Sequence, residues 1–292
     1  MVVKHRQGDK TLIVIESAQE GIVDTESIIK TFDFVAKTYN HSASRFFPFT
    51  ADRLVGILRP VPGSKILDVA TGTGVVAMAM AQAVGQNGRV IGIDLSESMM
   101  AEAENSFKKF GFDNIDLITM DGAKLDFKNN YFDYVTCSFG LFFMPDMVAA
   151  LKEWRRVLKP DGKVIFSCFD QGAFSPLADH FTELLMSYGV AKEKLSPASA
   201  RLKSKHVCES VIHDAGFTRH ETQSIQVGYH LNSESEWWDL VWSSAYRRLL
   251  EQIPERSIPE FKQRHLETLQ PLKDEKGLWL NVPVLVNIME KN

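Results

Sequence analysis

A glycine-rich turn carries the clearest chemistry in this chain. Lys65–Val69 has the apolar pattern of a short buried strand, and Val75 opens an apolar helix. Between them, Gly72 and Gly74 lack a Cβ, so the backbone can turn tightly and come close to a ligand. Ala77 supplies a third small position, where strand and helix pack closely. The helix start then directs free N–H groups and a positive dipole end at the turn.

Three aspartates end successive strand candidates around this turn. Asp94 lies twenty residues after Gly74 and ends the candidate Arg89–Asp94, where a carboxylate can accept both hydroxyls of a ribose. Asp68 and Asp121 stand at the ends of the neighbouring candidates. Open α/β sheets bind ligands at the carboxyl edge of their strands. The pattern therefore predicts a nucleoside-binding edge that carries several carboxylates.

These residues belong to a longer set of ordered motifs. The set resembles class I S-adenosylmethionine-dependent methyltransferases, most nearly the small-molecule methyltransferases of ubiquinone and menaquinone biosynthesis. The resemblance covers roughly residues 30–170 and is more specific for fold and cofactor than for acceptor. The matching segments are Asp68–Gly74, Ile93–Met100, Asp121–Ala123, Phe132–Leu141 and Leu158–Phe166.

The resemblance implies how S-adenosylmethionine, the methyl donor, would be held. It assigns the ribose hydroxyls to Asp94 and the donor ammonium to Asp68, directly or through water. It assigns the adenine amino group to Asp121, with Leu95 and Ala123 on the two faces of the adenine ring. The motifs thus divide the donor among three strand ends.

The remaining assignments surround the sulfonium and close the site. Ser138 and Phe139 would line the space around the sulfonium, and Tyr39 on an N-terminal helix would cover the donor. No metal is expected. The full set assigned to the donor is Tyr39, Asp68, Ala70, Thr71, Gly72, Thr73, Gly74, Asp94, Leu95, Met99, Asp121, Gly122, Ala123, Ser138 and Phe139.

Methyl transfer from a sulfonium is an in-line displacement that needs alignment and exclusion of water rather than a covalent protein intermediate. A general base is needed only if the acceptor is a phenol, a hydroxyl or an acidic carbon. The base candidates, by residue type and region alone, are His41, His180, His206 and His230. Each of them also fits a surface or structural role, so the catalytic residue stays open.

The acceptor site is expected between the N-terminal helices, the loop Phe139–Met144 and the segments 171–204 and 232–276. Aromatic residues in these regions favour an apolar or aromatic acceptor such as a phenol, a quinone or another secondary metabolite. The same spacing also suits plain core packing. The residues concerned are Phe142, Phe143, Phe174, Trp237, Trp238 and Trp242.

Three other functions use the same features. A glycine turn followed by Asp94 also suits a nicotinamide dinucleotide, so an NAD(P)-dependent oxidoreductase is the first alternative. The adenine-turn motif and the absence of a Tyr-x-x-x-Lys pair where a short-chain dehydrogenase needs one oppose it. The second alternative is a non-enzymatic binding or regulatory module that keeps the fold without catalytic turnover. The third is an enzyme that uses the donor for a reaction other than methyl transfer.

Bulk composition limits the partners. The chain has 292 residues, 45% of them hydrophobic and 24% charged, with a formal net charge of −4. No overall basic field favours nucleic acid, and no apolar run reaches the roughly 20 residues of a membrane span. The polar start at Met1–Lys10 lacks a signal-peptide core, and Cys137, Cys168 and Cys208 form no disulfide framework. We therefore expect a cytoplasmic protein with a small-molecule acceptor.

The elements that position these residues alternate strand and helix from 65 to 170, which predicts an α/β fold with a parallel sheet. We expect a Rossmann-like, mostly parallel seven-stranded sheet with an antiparallel last strand. Helical insertions follow strand five and separate strands six and seven. The predicted regions are a tail at 1–23 with a strand candidate at 11–15, a helical cap at 24–62, the donor-binding core at 63–170, and a C-terminal part at 171–292 that carries the substrate-cap insertions.

Three C-terminal elements complete this prediction. Thr222–Leu231 and Leu278–Met289 alternate like strands six and seven. Ser233–Leu250 has the pattern of one aromatic-rich helix.

Overall fold

The computed structural model describes residues 24–195 and 197–292. The tail predicted at 1–23, with its strand candidate at 11–15, lies outside the described residues. Two helices, α1 and α2, precede the first strand, within the segment predicted as a helical cap. The boundaries placed at residues 62 and 170 remain predictions.

The helices and strands alternate as expected over residues 65–169, except that no helix lies between the third and fourth strands. The helices are α1 (Thr25–Tyr39), α2 (Phe46–Leu58), α3 (Val75–Val84), α4 (Glu97–Phe110), α5 (Met147–Val157), α6 (Leu177–Ser187), α7 (Lys205–Asp214), α8 (Glu234–Trp242), α9 (Arg247–Leu250) and α10 (Ile258–Leu269). The strands are β1 (Lys65–Val69), β2 (Arg89–Asp94), β3 (Ile115–Thr119), β4 (Phe132–Ser138), β5 (Leu158–Phe169), β6 (Arg219–Gln226), β7 (Tyr229–Leu231), β8 (Lys273–Asp274), β9 (Gly277–Leu280) and β10 (Pro283–Glu290).

The main sheet has seven strands in the order β3-β2-β1-β4-β5-β10-β6. β1 pairs in parallel with β2 and β4, whereas β10 is antiparallel to both β5 and β6. The predicted seven-stranded sheet with an antiparallel last strand is therefore confirmed. Because β1 lies at the point where the strand order reverses, the loops after β1 and β4 diverge there and leave a crevice at the carboxyl edge.

Local capping fixes where two of the crossover helices begin. Ser96 Oγ accepts from the Met99 N–H at 3.1 Å at the start of α4. Asp146 Oδ1 accepts from the Ala149 N–H at 2.8 Å at the start of α5. Both side chains satisfy an N–H that has no partner within the helix. The start of α4 is thereby held next to Asp94.

Each of the last two predicted strands is divided between two sheets. After β6 the chain bends and continues as β7, which pairs with β9 in a second sheet of order β7-β9-β8. Gly228 sits at the bend, where a Cβ would lie 2.5 Å from the Leu280 carbonyl oxygen. Gln226 Oε1 accepts from the N–H groups of Gly228 and Val282 and ties the two bent strands together. An alternating pattern runs through such a bend unchanged, so the small sheet was missed.

The single helix predicted over Ser233–Leu250 is wrong, because the chain forms α8 and α9 with a break between them. Ser243 Oγ donates to the Asp239 carbonyl at 2.7 Å, and Ser244 Oγ accepts from the Tyr246 N–H at 3.3 Å. Serine hydroxyls of this kind compete with the helix for backbone partners. The apolar period continues through the break and hides it.

No helix within the described ranges has the length and apolar character needed to cross a bilayer.

Asn114, just before β3, offers a test of how the sheet holds α3. It is 7% exposed, and its Nδ2 donates to the carbonyls of Ala81 at 3.1 Å and Gly85 at 3.0 Å. Asn114→Ala leaves those carbonyls without this donor, so the free energy of unfolding should fall by about 1–3 kcal/mol in urea denaturation. Asn105→Ala on the exposed face of α4 is the control, and an equal effect of the two substitutions would contradict this role for Asn114.

Candidate functional site

Two adjoining cavities lie at the carboxyl edge of β1, β2 and β4, against α1. The larger lobe encloses about 880 Å³, solvent at its mouth included. The smaller lobe encloses about 430 Å³ on the same basis. Four residues border both lobes and define their junction: Tyr39, Ala70, Gly72 and Ser138. The two lobes therefore form one continuous cleft rather than separate sites.

Most residues assigned to the donor from the sequence lie on this cleft, although their roles remain predictions. Besides the junction residues, the larger lobe is bordered by Asp94, Leu95, Met99, Asp121, Gly122 and Phe139. The smaller lobe is bordered by Asp68, Thr71 and Thr73. Gly74 and Ala123 border neither lobe.

The two glycines of the turn serve different purposes. Gly72 has φ +54°, and a Cβ built there would meet nothing within 4 Å, so its backbone faces open space at the junction. Gly74 has φ +82° at the start of α3, and a Cβ there would lie 2.4 Å from the Phe107 ring. Gly72 thus leaves room for a ligand, whereas Gly74 is required by packing. The expected contact of Gly74 with the donor has no support in its position.

Asp94 joins the glycine turn to the second motif. Its Oδ2 accepts from the Gly72 N–H at 2.8 Å, and its Oδ1 accepts from the Ser96 N–H at 2.9 Å. Burial raises the pKa of Asp94 above its ordinary value, although these backbone hydrogen bonds oppose the shift. Each carboxylate oxygen has a second lone pair, so the group can still accept from two hydroxyls in the larger lobe.

Asp68 lies at the base of the smaller lobe and is 1% exposed. Its two oxygens accept from the hydroxyls of Thr71 and Thr136, each at 2.6 Å. Burial raises the pKa of Asp68 to about 6, and the two hydroxyls lower it in part. Thr136 in β4 was not among the predicted site residues, because a threonine within a strand carries no signal of its own.

Hydrogen bonds and side-chain packing hold the turn at Asp121–Ala123 in place. Asp121 is exposed, and its Oδ1 accepts from the Ala123 N–H at 2.8 Å. The Gly122 carbonyl accepts from the Trp154 indole N–H at 2.8 Å. A Cβ on Gly122 would lie 2.8 Å from Met144 Cε, so a larger residue does not fit there. This packing places Asp121 and Gly122 at the larger lobe and turns Ala123 away from it.

Helix α1 closes one side of the cleft. Hydrogen bonds join α1 to the start of α4 and the residue after α1 to the glycine turn. Ser96 Oγ donates to Asp33 Oδ1 at 2.6 Å, and Thr73 Oγ1 donates to Asn40 Oδ1 at 2.6 Å. The Tyr39 ring stacks on Phe47 with centroids 5.0 Å apart, and burial raises the pKa of Tyr39, which keeps its hydroxyl protonated. Asp33 on α1 and Asn40 just after it were missed because polar residues at such positions are ordinarily solvated.

The end of β4 adopts an unusual backbone at the junction. Phe139 has φ +55°, a left-handed conformation that is uncommon for a bulky residue. Its ring stacks on Phe169 with centroids 4.3 Å apart, and Ser138 Oγ lies 2.9 Å from Ser167 Oγ in the adjacent strand. Packing from β5 therefore holds this conformation, which is the kind of local strain found at functional sites.

None of the four histidine candidates borders either lobe within the described ranges. His41 Nδ1 accepts from the Ala43 N–H, and His230 Nε2 lies 3.4 Å from Asp274. His206 is exposed and His180 is half-buried in α6. Their positions give no support to a role as general base.

The aromatic residues of the C-terminal segments pack in the core instead of lining the cleft. Of the six predicted, Phe143 borders the larger lobe, whereas Phe142, Phe174, Trp237 and Trp238 are buried elsewhere and Trp242 packs under Arg247. Trp237 donates to His265 Nε2 at 2.7 Å, and burial lowers the pKa of His265 to about 4. No described residue of segments 171–204 and 232–276 borders either lobe, so the expectation that they line the acceptor site stays a prediction without support from the cleft.

The cleft combines carboxylates, hydroxyls and apolar walls in a way that suits a cationic nucleoside. Asp94 can accept from ribose hydroxyls, and open space at Gly72 lets a ligand cross from one lobe to the other. Within the described residues, no group of three or more His, Cys, Asp and Glu side chains is placed to hold a metal ion.

Solved structures similar to this chain show the fold alone. The YcgJ protein from Bacillus subtilis matches with a TM-score of 0.56 at 17% identity, over 84% of this chain and 99% of that chain. A phosphoethanolamine N-methyltransferase 2 from Haemonchus contortus with bound S-adenosyl-L-methionine matches with a TM-score of 0.55 at 18% identity, over 93% of this chain and 60% of that chain.

Sequence relatives are more informative. A demethylmenaquinone methyltransferase from Bacillus cytotoxicus is 47% identical over 104 residues, which span 36% of this chain and 44% of that relative. The aklanonic acid methyltransferase DauC from Streptomyces sp. strain C5 is 34% identical over 162 residues, 55% of this chain and 74% of the relative. The first match thus spans less than half of the relative's own length.

A family model describes most of the chain, including the glycine turn, all three aspartates and helix α1. It is that of the ubiE/COQ5 methyltransferase family, and it matches residues 22–230. This match confirms the resemblance noted in the motifs and favours methyl transfer over the dehydrogenase alternative. The chain belongs to the ubiE/COQ5 methyltransferase family.

Proposed function

We propose that this protein transfers a methyl group from S-adenosylmethionine to a small aromatic acceptor at the junction of the two lobes. One observation carries the proposal: Asp94 and Gly72 are joined by a 2.8 Å hydrogen bond at the point where both lobes meet. This contact places a hydroxyl-accepting carboxylate beside open backbone, as a nucleoside donor requires. When bound, the donor supplies a methyl group activated by its sulfonium charge.

The larger lobe suits the adenosine part of the donor. Asp94 borders it with free lone pairs for the ribose, and Leu95 and Met99 offer apolar surface for the adenine ring. Asp121 stands at the same wall, exposed and able to accept from an amino group. A flat ring with a polar edge fits this mixture of apolar and acceptor groups.

The smaller lobe suits the amino-acid part. Asp68 lies at its base, with the hydroxyls of Thr71 and Thr73 on its wall. A buried carboxylate favours a cationic ammonium, directly or through water, because the two charges offset each other's desolvation. The sulfonium would then lie at the junction between Tyr39 and Ser138, where the attached methyl group is accessible.

Aromatic rings around the junction support an aromatic acceptor. Tyr39, Phe47 and Phe139 present ring faces and edges there, and Phe143 continues this surface into the larger lobe. Rings of this kind pair favourably with an aromatic ligand and exclude water from the reacting atoms. The relatives' names supply the first acceptors to test, demethylmenaquinone and aklanonic acid.

Within the described residues no histidine borders the lobes, and the raised pKa of Tyr39 makes its hydroxyl a donor of hydrogen bonds rather than a base. We therefore propose that the acceptor brings its own ionisable O–H or C–H group and releases that proton to solvent before it binds. The protein then positions the acceptor anion opposite the sulfonium and excludes water. This arrangement relies on alignment and charge, not on a dedicated proton carrier.

Labelled methyl transfer tests the proposal. Purified protein with methyl-labelled S-adenosylmethionine should transfer label to one of a panel of naphthoquinols, phenols and aromatic acids, with demethylmenaquinone and aklanonic acid included. Titration of S-adenosylhomocysteine by calorimetry runs in parallel. Binding without transfer to any acceptor would favour the module without turnover, whereas no binding at all would contradict the proposal.

Asp94→Ala should weaken S-adenosylhomocysteine binding by about 1–3 kcal/mol, because the ribose hydroxyls lose a charged acceptor and Gly72 loses its hydrogen-bond partner. Calorimetry measures the change in dissociation constant. Asp126→Ala, an exposed carboxylate of the same charge, is the control and should leave affinity unchanged. Unchanged affinity in Asp94→Ala would remove Asp94 from the ribose role.

The raised pKa of Asp68 predicts how the affinity for S-adenosylhomocysteine depends on pH. Its pKa of about 6 in the free protein lies above the ordinary value of 3.8, so below pH 6 the carboxyl is largely protonated. The donor ammonium favours the ionised form, so binding must release that proton as the pH falls below 6. Affinity for S-adenosylhomocysteine should then fall by up to about tenfold per pH unit, while remaining flat above pH 7.

Calorimetry between pH 5 and 8 in buffers of different ionisation enthalpy measures both the affinity and the released proton. Asp68→Asn cannot ionise and should show weaker binding with no proton release in this range. A pH dependence identical in Asp68→Asn and the unaltered protein would assign the titration to another group.

A further inference from the structure

Arg201 lies in a short 3-10 turn, Ala198–Leu202, within the segment that follows β5. It borders neither lobe. Its guanidinium nevertheless reaches the loop after β4: Nη1 donates to the carbonyls of Phe142 at 2.9 Å and Met144 at 2.7 Å, and Nη2 donates to Pro145 at 3.0 Å. One side chain from the C-terminal half thus binds three backbone carbonyls of a single loop at the edge of the cleft.

The loop held by Arg201 forms one wall of the larger lobe. Gly140, Phe143, Met144 and Pro145 all border that lobe. Phe143 meets Phe32 of α1 edge-on with ring centroids 5.2 Å apart, so the loop also contacts the helix that closes the cleft. The position of this loop therefore sets both the width of the larger lobe and the position in which α1 packs.

The same loop supports the Asp121 turn. Met144 packs against Gly122, where a Cβ would come within 2.8 Å of Met144 Cε. Movement of Met144 would therefore free the turn on which Asp121 stands. Arg201 is linked to this turn through one carbonyl, that of Met144 itself.

Arg201 has a rigid base from which to act. The neighbouring Leu202 is fully buried, and its carbonyl accepts from the thiols of Cys168 at 3.3 Å and Cys208 at 3.8 Å. A planar guanidinium can serve several carbonyls at fixed angles, whereas the single ammonium of a lysine cannot reproduce that fork. The chemistry at this position is thus specific to arginine.

We propose that Arg201 is a positioning residue that fixes the wall formed by Phe143 and Met144 and thereby the fit of the donor. The proposal rests on the proposed function, in which the larger lobe holds adenosine. It gives a role to the segment after β5, which contributes no residue to the lobes within the described ranges. The segment acts on the cleft from outside by holding the backbone of its wall.

Arg201→Lys tests this proposal with two readouts. Hydrogen exchange of residues 139–146 should become about tenfold faster, because the loop loses the donors that close it, while the melting temperature changes little. Affinity for S-adenosylhomocysteine by calorimetry should fall about tenfold. Arg256→Lys, an exposed arginine elsewhere, is the matched control and should change neither readout.

A double-mutant cycle separates positioning from general destabilisation. If Arg201 acts through Met144, the loss caused by Arg201→Lys should largely disappear in the Met144→Ala background. Additive losses would overturn the proposal, and so would faster exchange without any loss of affinity. If the unaltered protein itself fails to bind S-adenosylhomocysteine, the proposed function fails, which is distinct from an unaltered protein that binds and an Arg201→Lys variant that binds equally well.

Discussion

The hydrogen bond from the Gly72 N–H to Asp94 Oδ2 is the contact on which the cleft depends. It joins the turn after β1 to the end of β2, two strands paired in parallel with Val69 opposite Ile93. Because the same carboxylate also accepts from the Ser96 N–H, it fixes the start of α4 as well. One half-buried acid thus sets three backbone segments around the space where the lobes meet, and its desolvation raises its pKa.

The parts around this contact are held by polar links that serve both structure and site. Asp33 on α1 is hydrogen-bonded to Ser96 at the start of α4, and Asn40 after α1 is hydrogen-bonded to Thr73 in the glycine turn. On the opposite wall, the Arg201 guanidinium binds backbone carbonyls of the loop after β4. Neither link depends on a hydrophobic surface, so each can be altered without emptying the core. Hydrogen bonds therefore hold the walls of the cleft on a rigid sheet, an arrangement that keeps the binding groups in fixed positions.

Much of this frame could be predicted from the sequence, because glycine spacing and strand-terminal acids are local patterns. Asp68 and Asp94 are examples, and the parallel sheet follows from the alternation of elements. Contacts that join distant parts of the chain leave no such pattern. Thr136 and Arg201 stand in no local sequence pattern. Only the fold places Thr136 against Asp68 and Arg201 against the loop after β4. The bend at Gly228 was missed for a different reason, because strand alternation continues across it.

A crystal structure with S-adenosylhomocysteine tests the central claim most directly, because the claim concerns where each part of the donor lies. The account predicts the ribose hydroxyls within hydrogen-bond distance of Asp94, the adenine ring in the larger lobe, and the amino-acid part in the smaller lobe above Asp68. A ligand lying outside the cleft, or one whose ribose is remote from Asp94, would contradict it.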